Sequence, residues 1–251
     1  MKKRIAAIIL IALLMIQFYP KFSLATGNMV QYESDYIIYN YESSEQEIID
    51  EISFDLDKDA ERINKTLNFS RNQKTNIYIY PNQKIFHRKK YGSLIDVIKV
   101  FSNLDWYVGD NVKDNITLVS PLNPGPDHSK ESIIGVIPHE YVHTIIYQLN
   151  PKTPLWMNEG IALYLTNGKD MASYESDYAP SFEDIQTSNP IKFARVDGYA
   201  YAQTYIEYLD ITYGFDAILE FINGDLSYED AFDQSEKKLY DGWIEYLRSK
   251  E

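Results

Sequence analysis

The feature that most constrains this chain is the segment His139-Glu-Tyr-Val-His143, followed 16 positions later by Glu159. On an α-helix, residues four apart lie on one face with about 6 Å of rise between them, so both imidazoles can point toward one metal ion. Glu140 is rotated by about 100° from His139 and can instead reach a water on that ion. Two imidazole nitrogens, one carboxylate and an open fourth position are typical of a hydrolytic zinc site. The sequence therefore predicts one Zn²⁺ per chain, held by His139, His143 and Glu159.

The surroundings of these residues favour a metal site over a chance match. The histidine pair lies in an apolar run that extends from Ile133 to Tyr147, and it accounts for two of the four histidines in the chain. Glu159 lies in a second apolar segment, although the helix dipole alone also favours an acidic residue near a helix start. Of the other two histidines, we expect His87, in a basic segment, to be exposed on the surface and His128 to be a solvated loop residue.

Two segments, HEYVH at 139–143 and PLWMNEGIALYL at 154–165, resemble those of the gluzincin metallopeptidases. The resemblance is to the peptidase MA-like domain in particular, which is related to the aminopeptidase N clan and whose second motif typically reads W-L-x-E-G-x-A. It implies Glu140 as general base beside the three zinc ligands. It also implies an α+β, zincin-like fold, in which a small twisted mixed sheet with helices leads into the zinc helix. A mostly helical C-terminal lobe is expected to follow.

Two departures from the pattern of this group bear on the reaction. The spacer between His143 and Glu159 is 15 residues, shorter than in the large aminopeptidases, which predicts a tighter connecting loop. No G-x-M-E-N segment, which grips the free amine of the substrate in those enzymes, precedes His139. We therefore expect an endopeptidase in preference to an aminopeptidase, acting on peptides or proteins. A catalytically inactive zincin that serves as an extracellular binding module is the alternative.

The resemblance also implies a tyrosine downstream of the metal ligands that donates to the oxyanion of the tetrahedral intermediate. The segment from Asp197 to Leu209 predicts a helix, and its resemblance to the peptidase MA-like domain implies that this helix returns to the active site. Tyr201 is the candidate for this catalytic role, with Tyr199 as the alternative. Because the chain has 22 tyrosines and Tyr201 also fits a packing stripe at helical spacing, a purely structural role stays open. The residues that bind substrate are unknown at this stage.

Two local features leave alternatives open. The segment Asn115–Val119 predicts a strand shortly before the zinc helix. In the zincins that this chain resembles, an edge strand lies along the cleft and can pair with an extended substrate, whereas an ordinary sheet strand is an equal alternative. Pro138 either kinks a helix that begins near Ser129, the interpretation that we prefer, or begins the helix itself as its first residue.

The first 25 residues have the pattern of a signal peptide. Residues 2–4 are basic, residues 5–18 are uncharged and apolar, and the small residues Ser23 and Ala25 precede a possible cleavage point. The apolar run is short for a membrane span, which needs about 20 residues. We therefore expect a secreted or extracytoplasmic protein, with an uncleaved leader that anchors the chain to a membrane as the alternative.

The remaining 26–251 segment is expected to form one metallopeptidase domain, with a sheet-containing lobe at about 30–150 and a helical lobe at about 151–251. The leader carries four of the 24 basic residues and no acidic residue, which leaves 20 basic residues against 37 acidic ones. This charge disfavours nucleic acid and anionic membranes as partners, and we expect no stable membrane association once the leader is cleaved. The chain has no cysteine, so its stability must come from its core. The oligomeric state is unknown from sequence.

Overall fold

The computed structural model describes residues 14–251 with the exception of 16, 22, 99–103, 167–174 and 225. Within this part of the chain, a five-stranded mixed sheet is followed by a C-terminal part built mainly of helices. The α+β class expected from the sequence is therefore confirmed. The basic start of the predicted leader and most of its apolar run, residues 1–13, lie outside the described residues. Among the helices that are described, none is long and apolar enough to cross a membrane.

The strands of the sheet are β1 (Met29–Glu33), β2 (Ile37–Glu42), β3 (Thr75–Tyr80), β4 (Gly109–Val112) and β5 (Asn115–Val119). They lie side by side in the order β1-β2-β3-β5-β4. The three central strands are mutually parallel, and β1 and β4 each run antiparallel to their neighbour. Parallel neighbours need a long crossover connection, and helices occupy the connections from β2 to β3 and from β3 toward β5.

The α-helices of the described residues are α1 (Gln46–Thr66), α2 (Gln83–Tyr91), α3 (Ile95–Ile98), α4 (Lys130–Leu149), α5 (Leu155–Thr166), α6 (Phe182–Ile185), α7 (Pro190–Arg195), α8 (Gly198–Tyr213), α9 (Phe215–Gly224), α10 (Tyr228–Phe232) and α11 (Glu236–Arg248). Short 3₁₀ helices lie at Tyr19–Lys21, Ser43–Glu45 and Ser176–Tyr178. The apolar spacing of α1 explains its place in the fold, because Ile48, Ile52 and Leu56 recur on one face and are all buried.

The strand β5 lies inside the sheet and not at its edge. It pairs with β3 on one side and with β4 on the other. A positive φ at Lys113 suits the tight turn by which β4 folds back onto β5. Of the two alternatives that the sequence left open, the edge strand along a cleft is therefore wrong, and the ordinary sheet strand is what the structure has. The edges of the described sheet are β1 and β4.

The histidine of α2 is buried, against the expectation from its basic neighbours. His87 is 0 % exposed, and its Nε2 lies 3.0 Å from the carbonyl oxygen of Tyr107. Two of the three charges that suggested an exposed segment are paired with carboxylates, since Arg88 contacts Asp96 and Lys90 contacts Asp110. On a helix, consecutive residues point about 100° apart, so basic neighbours do not place the residue before them on the surface.

The described chain divides into two compact units. The first contains the five-stranded sheet and is made of residues up to 60 together with residues 71–137. The second is made of residues 61–70 and 138–251 and is helical. Helices α1 and α4 contribute residues to both units.

The core of the second unit is aromatic. Trp243 of α11 is fully buried, and its indole nitrogen donates a hydrogen bond to the Thr204 hydroxyl of α8 at 2.8 Å. The ring of Trp243 meets that of Trp156 of α5 with 5.4 Å between centroids, and that of Tyr205 of α8 at 5.7 Å. Edge-to-face packing of this kind is favourable beyond the burial of area. It holds α5 and α8 together, which positions the residues discussed next.

Candidate active site

Helix α4 carries both site histidines and runs without interruption past Pro138. Its start is stabilised at Ser129, whose hydroxyl accepts a hydrogen bond from the Ser132 N–H at 3.2 Å. The helix therefore does not begin at Pro138; of the two alternatives, the structure has the helix that begins near Ser129 and contains Pro138. Since proline lacks an N–H, the carbonyl of Ile134 receives no helical hydrogen bond from this position.

The two histidines of α4 point their rings at one spot. The Nε2 atoms of His139 and His143 are 2.9 Å apart, and their ring planes are nearly perpendicular, at 88°. The side chain of His139 is 19 % exposed and that of His143 is 6 % exposed. The spot is thus largely enclosed but reachable from the side of His139.

Glu159 of α5 completes a triangle with these nitrogens. Its Oε2 lies 3.3 Å from Nε2 of His139 and 3.4 Å from Nε2 of His143. Ligand atoms held at about 2.0–2.1 Å by a tetrahedral zinc ion lie about 3.3 Å apart, so the three atoms have the spacing that such an ion requires. Among the described residues, these three form the group of histidine and acidic side chains that could hold a metal.

The Oε2 atom of Glu159 supports this fit independently. It is buried and makes no hydrogen bond of good geometry within the protein, although the two imidazole nitrogens lie 3.3 and 3.4 Å from it. A buried carboxylate oxygen without a donor is costly, and the groups that face it are the two imidazole nitrogens. A cation at the centre of the triangle would satisfy it.

Asn158, the residue before Glu159, orients one of the histidines. The Nδ1 of His143 lies 2.9 Å from the side-chain oxygen of Asn158. An amide oxygen only accepts, so Nδ1 carries the proton and donates it, which leaves Nε2 directed at the triangle. Sequence reasoning did not identify Asn158, although its place beside Glu159 at the start of α5 was the available signal.

The triangle is strongly coupled by charge. Burial alone lowers the pKa of His143, but Glu159, with smaller contributions from Glu140 and Asn158, more than compensates and raises this pKa to about 9. Burial conversely raises the pKa of Glu159, but the two imidazoles more than compensate and lower it to about 2. Without a metal, His143 is therefore a cation and Glu159 an anion at neutral pH. A bound divalent ion would replace the proton as the positive charge that this carboxylate faces.

Glu140 is buried, at 8 % exposure, and lies one residue beyond His139 on α4. Its carboxylate contributes to raising the pKa of His143 and that of Tyr199. Glu140 is therefore close enough to the triangle for its charge to be felt there. Its rotation from the two histidines agrees with a role other than that of a third ligand.

The two candidate tyrosines have different surroundings. The hydroxyl of Tyr201 donates a hydrogen bond to the backbone carbonyl of Glu175 at 2.9 Å, and its ring packs on Trp243. Tyr199 is half-buried; its burial, followed by the carboxylates of Glu159 and Glu140, raises its pKa to about 12. The charges of Glu159 and Glu140 are therefore felt at the hydroxyl of Tyr199.

A close approach of two helices fixes Glu159. A Cβ at Gly160 would lie 2.6 Å from the carbonyl oxygen of Ala202 and 2.7 Å from Cγ1 of Ile206. Glycine is therefore required for α5 to lie against α8 at this point. The remaining histidines have other partners, since His128 contacts the carbonyl oxygen of Trp106 at 3.1 Å and the buried His87 of α2 contacts that of Tyr107 at 3.0 Å.

Comparison with known proteins places the chain in a family. No curated protein matches it. The family model described as peptidase of plants and bacteria matches residues 107–248, more than half of the chain. The matched region contains α4, α5 and α8, the helices that carry the candidate site. The chain therefore belongs to the BSP family, the peptidases of plants and bacteria, and its substrates are peptides or proteins.

Proposed function

We propose that this protein is an exported zinc-dependent metallopeptidase. The observation that carries the proposal is the triangle of His139 Nε2, His143 Nε2 and Glu159 Oε2, whose edges of 2.9, 3.3 and 3.4 Å suit one tetrahedral ion. In a member of a peptidase family, such a triangle is best explained as the centre of the reaction. These three residues would hold one Zn²⁺, as in the gluzincins that the sequence resembles.

When bound, the zinc supplies Lewis acidity, which polarises the scissile carbonyl and acidifies a water molecule. Glu140 is the general base. Its carboxylate takes a proton from the attacking water as the new carbon–oxygen bond forms, and then delivers that proton to the nitrogen of the leaving amine as the carbon–nitrogen bond breaks. The influence of Glu140 on the pKa of His143 and Tyr199 supports its place beside the reacting atoms.

Tyr199 is the better candidate for the donor to the oxyanion. Its raised pKa keeps the hydroxyl protonated at neutral pH, as a donor must be. Tyr201, the first choice from sequence, already donates to the carbonyl of Glu175, which supports a structural role. The role of oxyanion donor and the structural role can be tested separately, because the two hydroxyls belong to different residues and each can be removed by its own substitution.

Two finer features belong to the proposal. The lack of a G-x-M-E-N segment supports an endopeptidase in preference to an aminopeptidase. The basic residues 2–4 and the apolar residues 5–18 support export from the cytoplasm. Neither feature identifies the peptide sequence that is cut.

The experiment that tests this function combines metal content with turnover. We expect elemental analysis to find one zinc per purified chain, and to find it lost in His143→Ala. A protein that lacks zinc, or that retains it in His143→Ala, would contradict the metal site.

Turnover of a fluorogenic peptide library distinguishes an enzyme from an inactive binding module. Glu140→Gln keeps the shape of the side chain but not its basicity, so we expect a loss of about 10²–10⁴-fold in turnover with the zinc retained. Glu131→Gln, at an exposed position of the same helix, is the matched control and should be fully active. Wild-type turnover in Glu140→Gln would show that Glu140 is not the base.

A further inference from the structure

The residues that precede β1 are bound to the first unit through their main chain. The Tyr80 hydroxyl donates to the carbonyl oxygen of Leu24 at 2.7 Å. The Lys89 ammonium donates to the carbonyl oxygens of Ser23 at 2.7 Å and Ala25 at 2.8 Å. These three consecutive carbonyls belong to the residues just before the cleavage point expected from the sequence. We call residues 17–21 and 23–26 the leader strap.

Gln17 ties the other end of the leader strap to the fold. Its side-chain Nε2 donates to the carbonyl oxygen of Tyr91 at 2.9 Å, and its Oε1 accepts from the Leu94 N–H at 2.6 Å. Its backbone oxygen accepts from the Ser93 N–H at 3.1 Å. Gln17 thus provides hydrogen-bond partners for the Tyr91 carbonyl and for the N–H groups of Ser93 and Leu94, where the chain passes from α2 to α3. It is the one polar residue in the otherwise apolar run 5–18.

The backbone of the first unit is also shaped to the strap. Gly92, which follows α2, has a φ of +86°, a conformation that favours glycine. A Cβ at Gly92 would collide with the backbone oxygen and the side chain of Gln17. Gly92, which permits the close approach of Gln17, belongs to the folded unit and not to the leader.

We propose that the leader strap is a permanent part of the folded protein and that the mature chain is not cut after Ala25. A cut there would remove all six hydrogen bonds named above. It would also create a charged α-amino group at Thr26. This group would lie next to the Lys89 ammonium, which donates to the Ala25 carbonyl at 2.8 Å. Two positive charges so close together repel. Processing, where it occurs, falls upstream of Gln17. The proposal is independent of the metal site.

The first test is the intact mass of the protein after expression of the full chain in a host that exports it. We expect a chain that still contains Gln17. A mature chain that begins at Thr26, or at any residue beyond Gln17, would overturn the proposal.

The second test measures thermal unfolding of variants of the full chain, each with its mass checked. Gln17→Leu keeps the leader apolar but removes the side-chain hydrogen bonds, and Lys89→Met removes two others. Because each loses about two hydrogen bonds, we expect each to lower Tm by at least about 2–4 °C. Lys84→Met, at an exposed position of α2, is the control and should leave Tm unchanged. A wild-type Tm in Gln17→Leu would overturn the proposal, because a residue removed before folding cannot stabilise the fold.

Discussion

The Nδ1–H of His143 donates a hydrogen bond of 2.9 Å to the side-chain oxygen of Asn158. The acceptor lies on α5, one residue before Glu159, and the donor lies on α4. The carboxylate of Glu159 completes the triangle, and the amide of Asn158 orients His143. Both groups are therefore placed by the same turn of α5. A shift of α5 would disturb both at once.

Asn158→Ala should weaken zinc binding. Without the acceptor, His143 loses the partner that fixes its tautomer and ring orientation, and removal of such partners typically costs about 10–100-fold in metal affinity. Competition with a chromophoric chelator measures this affinity. Asn158→Asp retains an acceptor and serves as the control, with an affinity at or above that of wild type. Equal affinity in Asn158→Ala and wild type would contradict an orienting role.

Zinc binding should become tighter as the pH rises from about 7 to about 9. The pKa of His143 in the metal-free protein is raised to about 9, so below that pH the metal must displace a proton from Nε2. The apparent affinity should then rise about tenfold per pH unit and level off above pH 9. Calorimetry in two buffers of different ionisation enthalpy should detect the released proton at pH 7. No pH dependence of the affinity over this range would contradict the coupling of His143 to Glu159.

Tyr199→Phe should lower kcat and leave the fold intact. Loss of one donor to an oxyanion typically costs about 10²–10³-fold in kcat, with little change in KM. Tyr201→Phe, in contrast, removes the hydrogen bond to the Glu175 carbonyl and should lower Tm with kcat unchanged. Steady-state kinetics and thermal unfolding of both variants separate the two roles. The reverse pattern, with kcat lost in Tyr201→Phe alone, would restore Tyr201 as the donor.

Gly160→Ala should destabilise the protein and displace Glu159. The added Cβ would meet the carbonyl oxygen of Ala202 at 2.6 Å, and overpacking of this kind typically costs about 1–3 kcal/mol. Gly135→Ala is the matched control, since it lies on α4 with no atom within 4 Å of the added Cβ. It should stabilise the helix by up to about 1 kcal/mol. Denaturant unfolding measures both, and an unchanged stability in Gly160→Ala would show that α5 and α8 can separate without cost.

Helical spacing made much of the site predictable from sequence. His139 and His143 share a face because four residues are close to one turn, and Glu159 was found by its place in a second apolar helix. The α+β class was implied by the resemblance of two segments to the gluzincin metallopeptidases. These features depend on neighbours within a few positions along the chain.

Tertiary structure decided what depends on segments distant in sequence. His87 is buried because Tyr107 covers it, 20 positions away, and β5 is internal because β4 folds back onto it. Spacing on α8 could not distinguish Tyr199 from Tyr201 as the proposed oxyanion donor, since that choice depends on where the carboxylates of α4 and α5 lie. The sequence by itself determined which side chains could bind a metal and which helices carry them. The fold decided which groups surround them, because burial and hydrogen bonding are set by whichever parts of the chain meet in space.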